Sequence, residues 1–487
     1  MKKIIALLVI TIAFLSCEKK DPSLIDPTTD DDINYFIWKG LNSYYLWQKN
    51  VPDLADTRFS NFDDLYTYFR GYSSSNNVFE SLLDRPTDRF SGIVEDYVAL
   101  ENSFQSINTS SGMEFGSVLY KNGSDNVFGY ARYVVPNTDA AEKGVTRGMI
   151  FNTINGTQLT RTNYRSLLYG SSTSYTVGFA DFNNGNPISN GNSVSLIKTE
   201  IAENPIAISK IVNEGNKKVG YLLYNQFSSN FDTQLNTVFA NFKAENIDEL
   251  IVDLRYNPGG FVSSAIYLGS MITGQFTGQL YSQQVWNDKI RNSYSEDSFV
   301  DNFTDEIRKV DADGNVILQE NINGLGLNKV YFIVTYGSAS ASELVINSLS
   351  SYIDVRVIGE TTRGKQVGSI TLYDSDDLFK TGSNLNPNHR WAMQPLVLEI
   401  SNKDNVNYPE GIVPGSPNFS GIELSENYGD LGVLGERSDP LLNATLLYIS
   451  DGNKSSIGQK EAYNYQEIYS SKLATSASDY MFVELKK

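Results

Sequence analysis

Apolar side chains in the first part of the chain recur at helical spacing. Ile33, Ile37 and Leu41 repeat every four residues, and a second apolar set with spacings of three and four begins at Phe62. Such stripes indicate amphipathic helices that each bury one face. The pattern therefore predicts a small helical N-terminal domain over residues 33–106.

From residue 107 to 205 the pattern changes to short strands separated by glycine and asparagine turns. A proline and a run of small residues precede Arg147-Gly148-Met149-Ile150, and an Asn155-Gly156 hairpin signal follows. This order resembles a PDZ domain, although Met149 stands where such domains carry an acidic residue. The alternative is a small β domain with a chance hairpin. The resemblance implies a loop whose backbone N–H groups would hold a peptide carboxylate, at Gly112, Met113, Phe115 and Gly116.

Strands and helices alternate in the third part of the chain. Strands are predicted at 219–224, 250–255, 330–334 and 355–358, nearly all of them apolar, as expected for strands covered on both faces. Helices are predicted at 231–242, 262–272 and 343–352. This is α/β layering, and we assign a core domain to residues 206–445 and a C-terminal extension to 446–487. A polar stretch at 273–328 is expected to be a surface excursion.

The N-terminus of the chain carries a leader pattern. A basic start precedes an apolar run that is too short to span about 30 Å of hydrocarbon, and the run ends just before Cys17. Residues 1–16 resemble a bacterial lipoprotein signal, which implies acylation of Cys17 and a polar tether over residues 17–32. Phe14 departs from the usual leucine, and an ordinary cleaved signal with a chance cysteine is the alternative. The expected location is the cell envelope, lipid-anchored at the periplasmic or outer-membrane face.

Histidine and cysteine each occur once, at His389 and Cys17. One of each cannot build a zinc finger, a His/Cys zinc site or a disulfide framework within a chain. A Ser-His-Asp triad would have to run through His389, so the base of any hydrolase is expected to be another residue. The net charge of −18 disfavours binding to nucleic acid phosphates. We expect neither a metal nor a cofactor.

Three segments carry candidate chemistry. The serine-rich run at 336–343 passes from an apolar strand into a helix, as a nucleophile elbow does, although Ser338 or Ser342 could simply cap that helix. A lysine follows the next strand at position 365 and would need a desolvated site to act as a base. A glycine pair at 259–260 follows a buried strand and could expose N–H groups to an oxyanion.

Together these segments resemble the C-terminal-processing (tail-specific) serine peptidases, which carry a Ser–Lys dyad and a PDZ domain. The resemblance implies an α/β protease core of the ClpP/crotonase-like type, with Ser340 as nucleophile and Lys365 as general base. It also implies oxyanion donors at Gly259, Gly260 and Ala341, and supporting roles for Arg255, Asn257, Glu343 and Ser369.

Two positions depart from the family's pattern. Ser369 replaces a glutamine that often hydrogen-bonds the lysine, and Ser351 replaces an acidic residue found in some members. The resemblance implies an envelope-anchored endopeptidase that captures unstructured protein C-termini and cuts them. The departures keep one alternative open, a catalytically silent PDZ-containing peptide-binding lipoprotein. The sequence does not indicate an oligomeric state or a natural substrate.

Overall fold

The protein is described by a computed structural model over residues 28–311, 314–380, 385–452, 465–474 and 481–483. The leader, Cys17 and most of the expected tether lie outside these residues. Within them, no helix is both long and apolar enough to cross a membrane.

The N-terminal region is helical, as predicted, and its elements are α1 (Thr29–Tyr44), α2 (Phe62–Phe69), α3 (Ser75–Ser81), β1 (Gly92–Val94) and α4 (Tyr97–Phe104). Helix α1 begins inside the segment expected to be tether, since Thr28 and Asp31 form a capping box. The predicted tether 17–32 is therefore wrong over its last residues. The apolar faces of α1 to α3 pack into the same hydrophobic core as the α/β region that follows.

The second region is a β structure with two short helices. Its elements are β2 (Ile107–Ser110), β3 (Met113–Leu119), β4 (Val127–Val134), α5 (Asp139–Glu142), β5 (Ile150–Ile154), β6 (Thr157–Gln158), α6 (Tyr164–Tyr169), β7 (Ser174–Asp181), β8 (Ile188–Ile197) and β9 (Thr199–Ala202). The expected carboxylate loop needs correction. Met113, Phe115 and Gly116 lie within β3, because the antiparallel pairing with β4 begins at Met113. Only Gly112, with a φ of +88°, precedes the strand.

The α/β region forms the largest part of the molecule. Its elements are β10 (Ile206–Glu214), β11 (Lys217–Tyr224), α7 (Asp232–Ala244), β12 (Glu249–Asp253), β13 (Gly260–Phe261), α8 (Val262–Thr273), β14 (Leu280–Trp286), α9 (Asp288–Arg291), β15 (Val300–Asn302), β16 (Glu306–Val310), β17 (Val316–Asn321), β18 (Lys329–Val334), α10 (Ala341–Ser350), β19 (Asp354–Gly359), β20 (Val367–Ser369), β21 (Leu372–Tyr373), β22 (Ala392–Gln394), β23 (Leu396–Ser401), β24 (Gly421–Glu423) and α11 (Pro440–Asp451). Two further strands follow, β25 (Glu467–Ser470) and β26 (Met481–Phe482).

Three sheets of six or more strands organise these elements. The central sheet has the order β10-β11-β12-β18-β19-β24 and is parallel from β11 onward. A second sheet has the order β13-β26-β20-β23-β14-β15, and a third has the order β25-β3-β4-β5-β7-β8. Because the carboxyl ends of the parallel strands meet at one edge, the turns after β12, β18 and β19 come together there.

Two expectations about the outer parts of this region fail. The polar stretch 273–328 is not only a surface excursion, since β14 pairs with β23 and buries Tyr281 and Trp286. Strands β16 and β17 of the same stretch form an antiparallel hairpin, and two residues of its turn lie outside the described chain. Helix α11 runs through the expected boundary at 445/446 and packs on the central sheet, so the core continues past residue 445.

Candidate active site

The serine run occupies the sharp turn between β18 and α10. Ser340 is the N-cap residue of α10 and has a φ of +63° and a ψ of −117°, a conformation rare for a residue with a side chain. The hydroxyl groups of Ser338 and Ser342 do not cap the helix, because they donate to the carbonyl oxygens of Leu254 and Asn257, at 2.7 and 3.0 Å. The Ser340 side chain is fully buried, and no hydrogen-bond partner for its Oγ is found among the described residues.

Glu343 connects the serine turn to the lysine turn. Its Oε2 atom accepts the backbone N–H groups of Ser340 and Lys365, each at 2.8 Å, and its Oε1 atom accepts the N–H of Gly364 at 2.7 Å and the hydroxyl of Thr362. Burial raises the pKa of the Glu343 carboxyl, while these four donors act in the opposite direction. The backbone N–H groups of Ser340 and Lys365 thus donate to the same buried oxygen atom.

The glycine turn packs directly against Ser340. Gly259 has a φ of +108°, and a Cβ atom built there would lie 2.9 Å from the Ser340 Oγ atom. Only a residue without a side chain permits this approach. Asn257 shapes the turn, since its Oδ1 atom accepts the Gly259 N–H at 2.9 Å and its Nδ2 atom donates to the Tyr224 carbonyl oxygen. A Cβ atom at Gly260 would lie 2.0 Å from the Phe227 carbonyl oxygen.

Ala341 is the first residue of α10. A backbone N–H at that position has no partner within its own helix, and it lies at the positive end of the helix dipole. The same turn that strains Ser340 therefore supplies an amide donor beside the serine.

Lys365 is fully buried, which meets the requirement for a desolvated lysine. Its Nζ atom lies 5.3 Å from the centroid of the Phe90 ring. The sequence reasoning missed Phe90, because it belongs to the N-terminal region and only the tertiary structure brings it to the lysine. A second contact links the same regions, since Arg89 donates to the carbonyl oxygen of Arg363.

Ser369 does not replace the family's glutamine in any contact that the structure shows. Its Oγ atom donates to the Oε1 atom of Gln394 at 3.0 Å, and Gln394 in turn donates to the hydroxyl of Thr371. Gln394 is a buried polar residue that the sequence reasoning did not single out. It lies at the end of β22, far along the chain, and no local pattern signals it.

Arg255 precedes the glycine turn in the chain, and its side chain is fully buried. It pairs with the carboxylates of Asp253, Glu426 and Asp439 at 2.7, 3.2 and 2.8 Å. Burial opposes ionisation of Glu426, but the guanidinium groups of Arg147 and Arg255 lower its pKa to about 2. The motif arginine therefore lies among three buried carboxylates.

His389 takes no part in this constellation. Its Nε2 atom lies 2.9 Å from Asp374 Oδ2, and its Nδ1 atom accepts the N–H of Trp391. Across the described ranges, no group of three or more His, Cys, Asp or Glu side chains is arranged to hold a metal ion.

The structure thus brings together the turn of the elbow serine, close glycine backbone and the turn of a buried lysine. Family models match this part of the chain. Residues 218–394 match the model of peptidase family S41, and residues 32–92 match the peptidase S41 N-terminal domain. The chain thus contains domains of peptidase family S41 over these residues, which confirms the family resemblance stated from its motifs.

Individual relatives are similar over part of their length. A carboxyl-terminal-processing protease of Picosynechococcus is 27% identical over 173 residues, which cover 36% of this chain and 35% of that protein. A Staphylococcus epidermidis protein assigned as a CtpA-like serine protease is 25% identical over 177 residues, covering 36% and 31%. The alignments thus span about a third of the length of these curated relatives.

One solved structure extends the likeness of fold. A candidate S41 protease from Bacteroides fragilis superposes with a TM-score of 0.63 at 21% identity, over 89% of this chain and 99% of that one. The overall α/β and helical architecture is therefore shared along most of the chain.

Proposed function

We propose that this chain is a serine endopeptidase that cleaves peptide bonds with the Ser340–Lys365 dyad. The observation that carries the proposal is the Glu343 carboxylate, because one of its oxygen atoms accepts the amides of both residues at 2.8 Å. A buried carboxylate that holds these two segments together is expected if their side chains react as a pair.

The mechanism is acyl transfer through a covalent intermediate. Neutral Lys365 takes the proton of the Ser340 hydroxyl, and the oxygen attacks the carbonyl carbon of the scissile bond. The Ala341 amide and an amide of the glycine pair stabilise the oxyanion. In the present state the Gly259 N–H donates to Asn257, so this donor has to turn, or Gly260 supplies the second bond. The lysine then gives its proton to the leaving amine, and water releases the acyl-enzyme.

The β region of residues 107–205 acts in this proposal as a PDZ-like module. Its strand β3 lies between β4 and the C-terminal strand β25, and α6 lies beside β3, since the Tyr169 ring stacks on Phe115. A peptide would add to β3 in the place of β25. Capture there would present protein C-terminal tails to the serine. Acylation of Cys17 would anchor the enzyme in the cell envelope.

The dyad is tested with a fluorogenic peptide that ends in apolar residues. We expect Ser340→Ala and Lys365→Ala to lower kcat/KM by at least about 1000-fold. Ser350→Ala on the same helix and the partly exposed Lys403→Ala are the matched controls and should cleave like wild type. Full activity in Ser340→Ala, or in Lys365→Ala, would overturn the dyad.

A second candidate is a catalytically silent peptide-binding protein, favoured by the bond from Ser369 to Gln394 instead of to the lysine. It predicts that wild type binds the same peptide without any cleavage, even after long incubation at high enzyme concentration.

A further inference from the structure

The edge of β3 is already occupied by the chain itself. Strand β25 pairs with it antiparallel, with Tyr469 opposite Ser117 and Ser470 opposite Gly116. The Gln466 carbonyl oxygen also accepts the N–H of Leu119 at 3.0 Å. An edge strand offers one row of backbone donors and acceptors, and a peptide ligand needs that same row. Residues 467–470 and an external strand therefore exclude each other.

The side chains of residues 467–472 also make contacts that a bound peptide would make. The Tyr469 ring packs edge-on against Tyr169 of α6, at 4.9 Å between centroids, and Arg165 lies 4.9 Å above it. The next contact is at the start of β3, where the N–H of Phe115 donates to the Ser471 Oγ atom at 2.8 Å. The Ser471 hydroxyl oxygen thus accepts the Phe115 N–H, one of the amides that the sequence assigned to a peptide carboxylate.

Two ion pairs fix the register of this segment. The Glu467 carboxylate pairs with the buried guanidinium of Arg132 and accepts the Tyr130 hydroxyl at 2.7 Å. At the other end, Lys472 lies 2.6 Å from Glu203, with both side chains at most 13% exposed. Buried pairs of this kind tolerate one register only, because a slip by one residue would leave charges buried and unpaired.

The same part of the chain reaches the candidate active site. Strand β26 lies between β13 and β20, with Met481 opposite Gly260 and Phe482 opposite Ser369. Lys472 lines a small cavity together with Gly259 and Gly260. Ser340 has no exposed surface in this arrangement, so a polypeptide cannot reach its hydroxyl without movement.

We propose that residues 467–472 are an intramolecular ligand of the groove between β3 and α6, which a substrate peptide must displace before it reaches Ser340. The groove then selects extended peptides with an acidic residue for Arg132, an aromatic residue two positions later for α6, and a hydroxyl or carboxylate for the Phe115 amide. The effect on hydrolysis rests on the proposed function, whereas the occupation of the groove does not.

Binding is measured in the Ser340→Ala background with a fluorescein-labelled peptide of the sequence 465–474. Glu467→Lys breaks the ion pair with Arg132, and Glu423→Lys changes an exposed carboxylate on β24 as the matched control. We expect Glu467→Lys to bind the peptide at least tenfold tighter than Glu423→Lys. Tyr469→Ala, which keeps the ion pair, is the second variant and should shift the affinity in the same direction. Equal affinities in all three chains would overturn the proposal.

Hydrolysis of the apolar reporter peptide, measured with Ser340 restored, separates the two ideas. We expect Glu467→Lys to cleave several-fold faster than Glu423→Lys. If the affinity shifts and neither chain cleaves, the peptidase proposal fails and the intramolecular ligand stands. If both chains cleave equally and the affinity does not shift, the ligand proposal fails and the peptidase stands.

Discussion

Replacing Glu343 by glutamine tests whether one carboxylate holds the two candidate catalytic turns together. The change keeps the shape of the side chain and removes one acceptor. Because Oε2 accepts two backbone amides, the new NH2 group is least unfavourable at the position of Oε1. At that position the Thr362 hydroxyl can turn and accept a hydrogen bond from the new NH2 group. The Gly364 N–H instead faces another donor and loses its hydrogen bond.

The magnitude follows from these contacts. Losing one hydrogen bond to a charged acceptor costs about 1.5–3 kcal/mol, and the two bonds that remain lose about half of their strength with the charge. Glutamine also removes the cost of burying an anion, which offsets part of the loss. We therefore expect the free energy of unfolding to fall by about 2–4 kcal/mol. We expect kcat to fall by about 100-fold, because a displacement near 1 Å between the reacting groups has that effect.

Urea unfolding followed by circular dichroism measures the stability, and steady-state kinetics with the reporter peptide measures kcat and KM. Glu399→Gln, an exposed carboxylate on β23, is the control and should match wild type in both assays. If Glu343→Gln unfolds within about 0.5 kcal/mol of wild type and keeps its kcat, Glu343 does not position the site, and the reasoning is refuted.

Three further changes have defined outcomes. Gly259→Ala should lower kcat/KM by at least about 100-fold, since the new Cβ atom would meet the Ser340 Oγ atom; Gly278→Ala, whose φ is +80° with open space around it, is the control for backbone strain alone, and equal loss in both would contradict the steric account. Burial raises the pKa of Glu360 from 4.5 to about 7, so the folded state keeps a proton that the unfolded state releases. Urea unfolding at pH 4.5 and pH 8 should show wild type losing about 3 kcal/mol relative to Glu360→Gln as the pH rises, and parallel profiles would contradict this. Cys17→Ser should abolish labelling with radioactive palmitate and release the protein from membranes, and retained label would place acylation elsewhere.

Much of the fold follows from local pattern. The stripe containing Ile33, Ile37 and Leu41 buries one face of α1, and the apolar run at 250–254 lies in and just after the buried strand β12. Local pattern also placed the elbow, because the turn into α10 follows a strand and contains only small residues from Gly337 to Ser342. These features depend on neighbours within a few residues, and a single sequence contains them completely.

Long-range pairing was beyond such reasoning. Nothing near Ser369 indicates Gln394, and nothing near Lys365 indicates Phe90, because each pair is separated by many residues and meets only through the packing of different elements. For the same reason the sequence pattern assigns the β25 segment only to a C-terminal extension, since a short strand acquires its role from the edge to which it adds.

The sequence by itself determined the order of elements, the family motifs and the presence of a single histidine. Only the tertiary structure decided which carboxylate joins the serine to the lysine, and that residues 467–472 fill the groove of β3. The physical reason is the separation along the chain over which each effect acts. Propensity and periodicity act between neighbours in the chain, whereas burial, ion pairing and strand addition depend on the whole fold.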